Sequence, residues 1–155
     1  MNVHNVLKLL HLIAVVVFMG DIVVTAVWRL LADRTREPRV IAYALRLVQF
    51  TDKYLLVPSV FALAATGMLR AHLQGIPLWT NPALAAGQVS FMLCGVVWSQ
   101  MLRPIQARQL VMAEALGDAS GAAFDDYLLL TKKWFRWGIL AMALAFGSMA
   151  LMVLH

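Results

Sequence analysis

Cysteine is almost missing from this chain, and acidic side chains are scarce. The one cysteine, Cys94, lies in the apolar run "FMLCGVVW", so neither a disulfide framework nor a thiolate metal centre can be built from it. No phosphate loop, G-x-S-x-G or H-E-x-x-H is present, which removes the commoner nucleotide, hydrolase and zinc-protease signatures. Charge is thin throughout: 14% of the 155 residues are Asp, Glu, Lys or Arg, where an average soluble domain has about a quarter. Hydrophobic residues fill the space, at 62% of the chain with a mean hydropathy of +0.77.

That balance belongs to a membrane protein. About 20 apolar residues span the hydrocarbon, and four such stretches occur: Val6 to Leu31, Tyr54 to Leu73, Ala83 to Leu102 and Trp134 to Leu154. The chain reads as a single transmembrane domain over residues 1–155, with little left for a soluble unit. Lys8 ahead of a hydrophobic run resembles a signal peptide, but the run continues through Val27 without a small-residue cleavage site, so the segment is expected to be retained. The net charge of +5 invites a nucleic-acid reading. The basic residues flank the spans, however, where membrane orientation explains them without nucleic acid.

Six of the thirteen Lys and Arg residues (Arg29, Arg34, Arg36, Arg39, Arg46, Lys53) surround the first connection, and five (Arg103, Arg108, Lys132, Lys133, Arg136) surround the third. Only Lys8 and Arg70 fall on the other side. The positive-inside rule then predicts cytoplasmic basic connections in a bacterial inner membrane, N-out and C-out. "ADRTREPRV" breaks the first helix from the second, with Pro38 in a new first turn. A second helix running from there to Leu73 is roughly 54 Å long, so "ALRLVQFTDK" projects into the cytoplasm or bends, and Pro58 invites a kink. In "TNPAL" Asn81 caps a third helix and Pro82 occupies its first turn. "GDASG" reads as a turn. "LRPIQARQLVMAEAL" and "FDDYLLLTKKWFRW" read as amphipathic cytoplasmic continuations facing anionic headgroups. Trp79, Trp134 and Trp137 are expected at interfaces.

Small residues (Ala62, Ala64, Ala65, Gly67; Ala85, Ala86, Gly87, Gly95; Gly138, Ala141, Ala145, Gly147) punctuate spans two to four and permit close helix packing in lipid. The expected fold class is all-α: an antiparallel integral membrane four-helix bundle, open to homo-oligomerisation.

Ionisable groups within spans are the functional clue. His4 and His11 share a helix face to within about 20°, while His72 and His155 end the second and fourth spans. In the topology above all four lie toward the outer side. His11 and His72 are at comparable depth, and two facing imidazoles at one level are what a bis-histidine haem requires. Lys8 and Arg70 flank them as partners for porphyrin propionates. Haem b is therefore the expected cofactor, with copper the alternative for a bare metal. The plainer reading is a pair of headgroup-level histidines and a snorkelling lysine. Asp21 is a separate matter, roughly 15 Å along the helix from His11 and about 80° around it. It must face the bundle interior and pair, or take a proton; Arg46, Lys53, Ser99 and Gln100 are candidate partners, and Gln88, Ser90 and Thr66 extend a possible polar path. Asp52 and Lys53 read as interfacial.

With Lys8-x-x-His11, "TAVWRLLADRTREPRVIAYALRLVQFTD" and "KKWFRWG", the whole chain resembles a family of predicted bacterial integral membrane proteins whose domain has no assigned function. More distantly, Lys8-x-x-His11 and "LLVPSVFALAATG" after a basic loop resemble the HemJ-type protoporphyrinogen oxidases and the copper-resistance D-type membrane proteins. That resemblance implies haem binding and a functional histidine at His11. The chain departs from it in lacking a histidine around "RLLADR" and a Lys and His in span three. Three functions are thus expected: a haem- or porphyrin-binding redox protein, a proton-coupled small-molecule transporter or channel subunit using Asp21, or a non-catalytic assembly partner.

Overall fold

The computed structural model describes residues 3–77, 79–116 and 122–154, and all secondary structure among them is helical. Helix α1 is Val3–Thr35. Next come α2, Pro38–Thr51, a π turn at Asp52–Leu56, and α3, Val57–Gln74. Helix α4 is Pro82–Val97, followed by a second π turn at Trp98–Leu102 and α5, Arg103–Leu116; α6, Ala122–Val153, ends the fold. Because the π turns join their flanking helices, the chain forms four long helical rods, each apolar and long enough to cross a membrane. The "GDASG" turn and His155 lie outside the described residues.

Sequence punctuation sets the corners. Arg36 closes α1 in a left-handed conformation (φ 57°), and Pro38 occupies the first turn of α2 behind Glu37. Gly75 (φ 63°) ends α3 with paired bonds from its own N–H to the His72 carbonyl and from Ile76 N–H to Ala71, a Schellman cap that needs a residue without Cβ. Asn81 Oδ1 accepts from the N–H groups of Ala83 and Leu84 at 3.0 and 3.3 Å, and Pro82 begins α4. Both π turns have one cause. Pro58 and Pro104 cannot donate to the carbonyl four residues back, and their rings crowd it; slipping to a wider turn relieves the clash. Val57 N–H therefore bonds Asp52 O, and Arg103 N–H bonds Trp98 O.

Helix α1 buries Leu7, Ala14, Phe18, Asp21, Thr25, Arg29 and Ala32, a three-and-four spacing that presents one stripe inward. It packs on α3 and α2, while α4 packs on α6. Bonded pairs climb one helix as they descend its neighbour: His4 with Gln74 and His11 with Thr66, then Gly87 with Ser148, Ser90 with Leu144 and Cys94 with Ala141. Small residues do bring α4 and α6 together, since a Cβ on Gly87 would lie 3.1 Å from Met152 Cγ. Not every expected small residue serves this way. Ala62, Ala64 and Ala65 are exposed, and Gly95 and Gly138 have no neighbour within 4 Å of an added Cβ.

The stretch expected to project from lipid is packed. Ile41, Ala42 and Leu45 of α2 join Ala113 and Leu116 of α5 and Tyr127 of α6 in a second apolar cluster, separate from the one around Phe18, Leu63, Cys94 and Ala141. An exposed ion pair, in which Arg46 Nε and Nη2 both donate to Glu114 Oε1 at 3.1 and 2.7 Å, ties α2 to α5 at its edge. Helices α2 and α5 and the first half of α6 thus form a bundle with its own core.

Candidate functional site

The polar residues of α1 fall in two groups along its buried stripe. Toward the N-terminal end of α1 His11, half-buried, meets α3: its Nδ1 is 2.8 Å from Thr66 Oγ1, and its ring lies against Gly67, where an added Cβ would come within 3.3 Å of Cε1. A glycine is what lets the imidazole lie down on the helix. Thr66 also donates to the Ala62 carbonyl at 2.5 Å, which fixes its hydroxyl. Arg70, one turn on, is close enough to His11 to interact electrostatically, and its Nε is buried without a hydrogen-bond partner.

Of the residues expected to share this site, the structure brings His11 and Arg70 together. His72 is exposed, and lies about 160° around α3 from Arg70. Lys8 is exposed as well. His4 bonds Gln74 rather than joining His11.

The second group is deeper and more polar than the sequence suggested. Asp21 is 7% exposed and Asp52, the first residue of the π turn, 8%. The two carboxylates interact electrostatically; Thr51, whose hydroxyl donates to the Val48 carbonyl, lies beside Asp21, and Trp98 and Gln106 lie beside Asp52. Asp21 Oδ2, Gln106 Oε1 and Trp98 Nε1 are buried with no hydrogen-bond partner among the described residues. The partners expected for Asp21 are elsewhere: Arg46 is paired with Glu114, Lys53 lies over the Tyr54 ring, Ser99 donates to Val96 O, and Gln100 is exposed. Asp52 is covered by protein, because the helix carrying it runs on into the packed α2–α5 bundle.

Toward the C-terminal end of α1 the stripe continues through Thr25, which donates to the Asp21 carbonyl at 2.6 Å, to Arg29, 1% exposed. Arg29 donates to Gln109 Oε1 at 3.0 Å, Gln109 donates to Thr131 Oγ1 at 2.9 Å, and the guanidinium lies 4.3 Å over Trp134. Asp33 is 3.9 Å from Arg29 and accepts the Tyr127 hydroxyl at 2.5 Å. Trp134 is therefore buried beneath a cation instead of standing in an aromatic belt, while Trp79 and Trp137 are exposed.

Outward from Asp21 the stripe turns apolar. Phe18 and Ala14 stand between Asp21 and His11, and Phe18 tilts against Phe91 with centroids 5.7 Å apart. Polar contact from the acid pair therefore leads along α1 toward Arg29 and stops on the side of His11.

Helical spacing held a signal for the residues that were missed. Arg29 is four residues beyond Thr25 on the α1 stripe, and Asp52 is four beyond Val48, in step with Ile41 and Leu45. Gln106 and Gln109 share a face at three-residue spacing.

Residues 5–155 match the family described as predicted integral membrane protein (DUF2269), and the chain belongs to that family. No curated protein and no solved structure matches the chain.

Proposed function

We propose that this integral membrane protein is a proton-coupled transporter or channel subunit of the bacterial inner membrane, with Asp21 and Asp52 as the groups that take up and release the proton. One observation carries the reading: two interacting carboxylates are buried at mid-rod, and Asp21 Oδ2 has no partner. Ionisable side chains in membrane spans are costly and mark ion and proton pathways. Two like charges in a low-dielectric interior repel strongly, so the pair is at ease when one positive charge is shared between them.

In this arrangement the basic corners around Arg36 and Arg108 face the cytoplasm. The polar run Thr25, Arg29, Gln109 and Thr131 then leads from the pair to that side, and Phe18 against Phe91 closes the outer side. The rod number is small for a transporter, so a complete pathway requires more than one copy, with small residues such as Gly95 and Gly138, open around their Cα atoms, permitting close approach. The test is proton flux into liposomes containing the purified protein. Asp21→Asn should abolish it, and undiminished flux in that variant would overturn the reading.

A second reading is supported at the outer end. Thr66 holds His11 by Nδ1 and leaves Nε2 without a protein partner among the described residues, the state in which an imidazole can bind haem iron. Arg70, with Nε unpartnered, would hold a propionate. His72, exposed and on another face, is not placed to serve as the second axial ligand, so this haem would have His11 alone. A Soret band lost in His11→Ala is the expected sign; a preparation that stays colourless through haem titration removes it.

A further inference from the structure

An open apolar groove runs between the end of α1 and the start of α2, and the corner that closes it is basic. We propose that this groove holds one anionic phospholipid, with an acyl chain lying along it and the phosphate against Arg36 and Arg39. The proposal involves neither carboxylate of the acid pair and stands apart from the proton reading.

Small residues make the groove. Ala32 on α1 and Ala44 on α2, both buried, form its floor, while Trp28 and Leu31 on one side and Tyr43 and Leu47 on the other stand as its walls. The space between them is about 300 Å³. Thr35 closes one end: its hydroxyl donates to the Ala32 carbonyl at 2.7 Å and accepts the Glu37 N–H at 3.2 Å, which fixes the corner against the groove. Arg39 precedes Tyr43 by one helical turn and lies within about 40° of it around α2, so a chain beside Tyr43 leads to the Arg39 side chain.

The level along the rods is that of a hydrocarbon boundary. The apolar run of α1 ends at Leu31, and arginines follow at 34, 36 and 39. Trp28 and Tyr43, each an apolar ring with one polar group, are exposed at that level; such rings are enriched where acyl chains meet headgroups.

Charge selects the occupant. Arg34, Arg36 and Arg39 are exposed and take part in no ion pair among the described residues, and Glu37 is the one acid beside them. Two-fold pairing of this groove with the same groove of a second copy would set two basic corners together, and like charges across an interface are unfavourable. An acyl chain fills the groove without that repulsion and brings a phosphate to the arginines, the chemistry by which basic pockets beside membrane spans hold anionic headgroups. A zwitterionic lipid carries its own cation, so the corner discriminates against it.

The test uses the full-length protein in neutral detergent, with phosphatidylglycerol added and phosphatidylcholine of the same acyl chains as control. Phosphatidylglycerol should stay bound in native mass spectrometry and raise the thermal midpoint, and phosphatidylcholine should do neither. Arg36→Gln combined with Arg39→Gln should weaken the binding by about tenfold or more. Ala44→Leu, which fills the floor and leaves the charges in place, should weaken it as well; should that variant fail to fold, Tyr43→Ala removes an exposed wall instead. Equal retention of the two lipids overturns the proposal. So does undiminished binding in the arginine pair, or in the groove variant, since the lipid then sits elsewhere or on a diffuse basic surface. Glycerol phosphate without chains should not protect; protection equal to that of the lipid makes the ligand a free phosphate and overturns the lipid. A dimer that Ala44→Leu dissociates, with no lipid retained by the wild type, gives the groove to a second copy and overturns it too.

Discussion

The Trp98 indole faces Asp52, and each of these residues opens a π turn that ends two residues before a proline. The pairing means that the two irregular points of the second and third rods meet beside the acid pair. A π turn adds one residue to the helix, equivalent to about 100° of rotation between the flanking segments. The inner segments α2 and α5 pack on one another, while α3 turns toward α1 and α4 toward α6. Proline is what makes the interruption favourable in both rods.

Replacing Pro58 and Pro104 together with alanine therefore removes the steric reason for the π turns and restores two N–H donors. The double variant should keep its helical content by circular dichroism. Proton flux should fall by about tenfold, because Asp52 rotates away from Trp98 and Gln106 when the turns close up. Unaltered flux would show that packing alone holds the π geometry.

Asp21→Asn should separate stability from activity. The variant removes one charge from a buried pair and supplies an amide donor that can reach Asp52. A thermal midpoint equal to or above that of the wild type is expected, a gain of order 1 kcal/mol, together with loss of flux. A marked drop in the midpoint would instead mark Asp21 as a packing residue held by Thr51.

Much of this architecture could be read from residue order. Asn81-Pro82, Glu37-Pro38 and Gly75 give the corners because each carries its own local physics: a side-chain acceptor for free N–H groups, a fixed φ, and tolerance of the left-handed region. The face of Asp52 was also readable, since it continues the row Ile41, Leu45 and Val48. Its depth was not. Hydropathy starts the second span at Tyr54, and that places Asp52 at the membrane surface; only the packing of α2 against α5 and α6 buries it. Gln109 and Arg29 escaped for a related reason: a polar residue on an amphipathic segment looks solvated until the partner helix that satisfies it is known. His72 shows the converse error of geometry. Equal depth in two spans says nothing about rotation, and α3 turns Thr66 and Arg70 toward His11, leaving His72 exposed.

The polar network around Arg29, which lines the proposed proton route, should also contribute to stability. Arg29 is buried with one direct hydrogen-bond partner, Gln109, an aromatic face at Trp134 and a carboxylate at 3.9 Å. Arg29→Met strands Asp33 and the Gln109 carbonyl in the interior. It should cost about 3–5 kcal/mol, and Gln109→Leu about 1–3 kcal/mol, in reversible denaturant unfolding. A double-mutant cycle between the two positions should show coupling, because they are in direct contact. Additive effects would mean that Arg29 draws its stabilisation from Trp134 and Asp33 alone.

Phe18 tests the direction of the pathway. Its ring, packed on Phe91, is the largest apolar group on α1 between Asp21 and His11. Phe18→Ala should lower stability by about 3–5 kcal/mol through the cavity it leaves. It should also raise proton leak in liposomes, since water entering that space would join the outer histidine to the acid pair. Phe18→Leu, which keeps most of the volume, should restore the seal along with most of the stability. A leak unchanged in Phe18→Ala, in protein shown to be folded, would mean that the outer closure lies elsewhere, between α4 and α6, where Ser90 and Ser148 bond the facing backbone and leave no gap at Gly87.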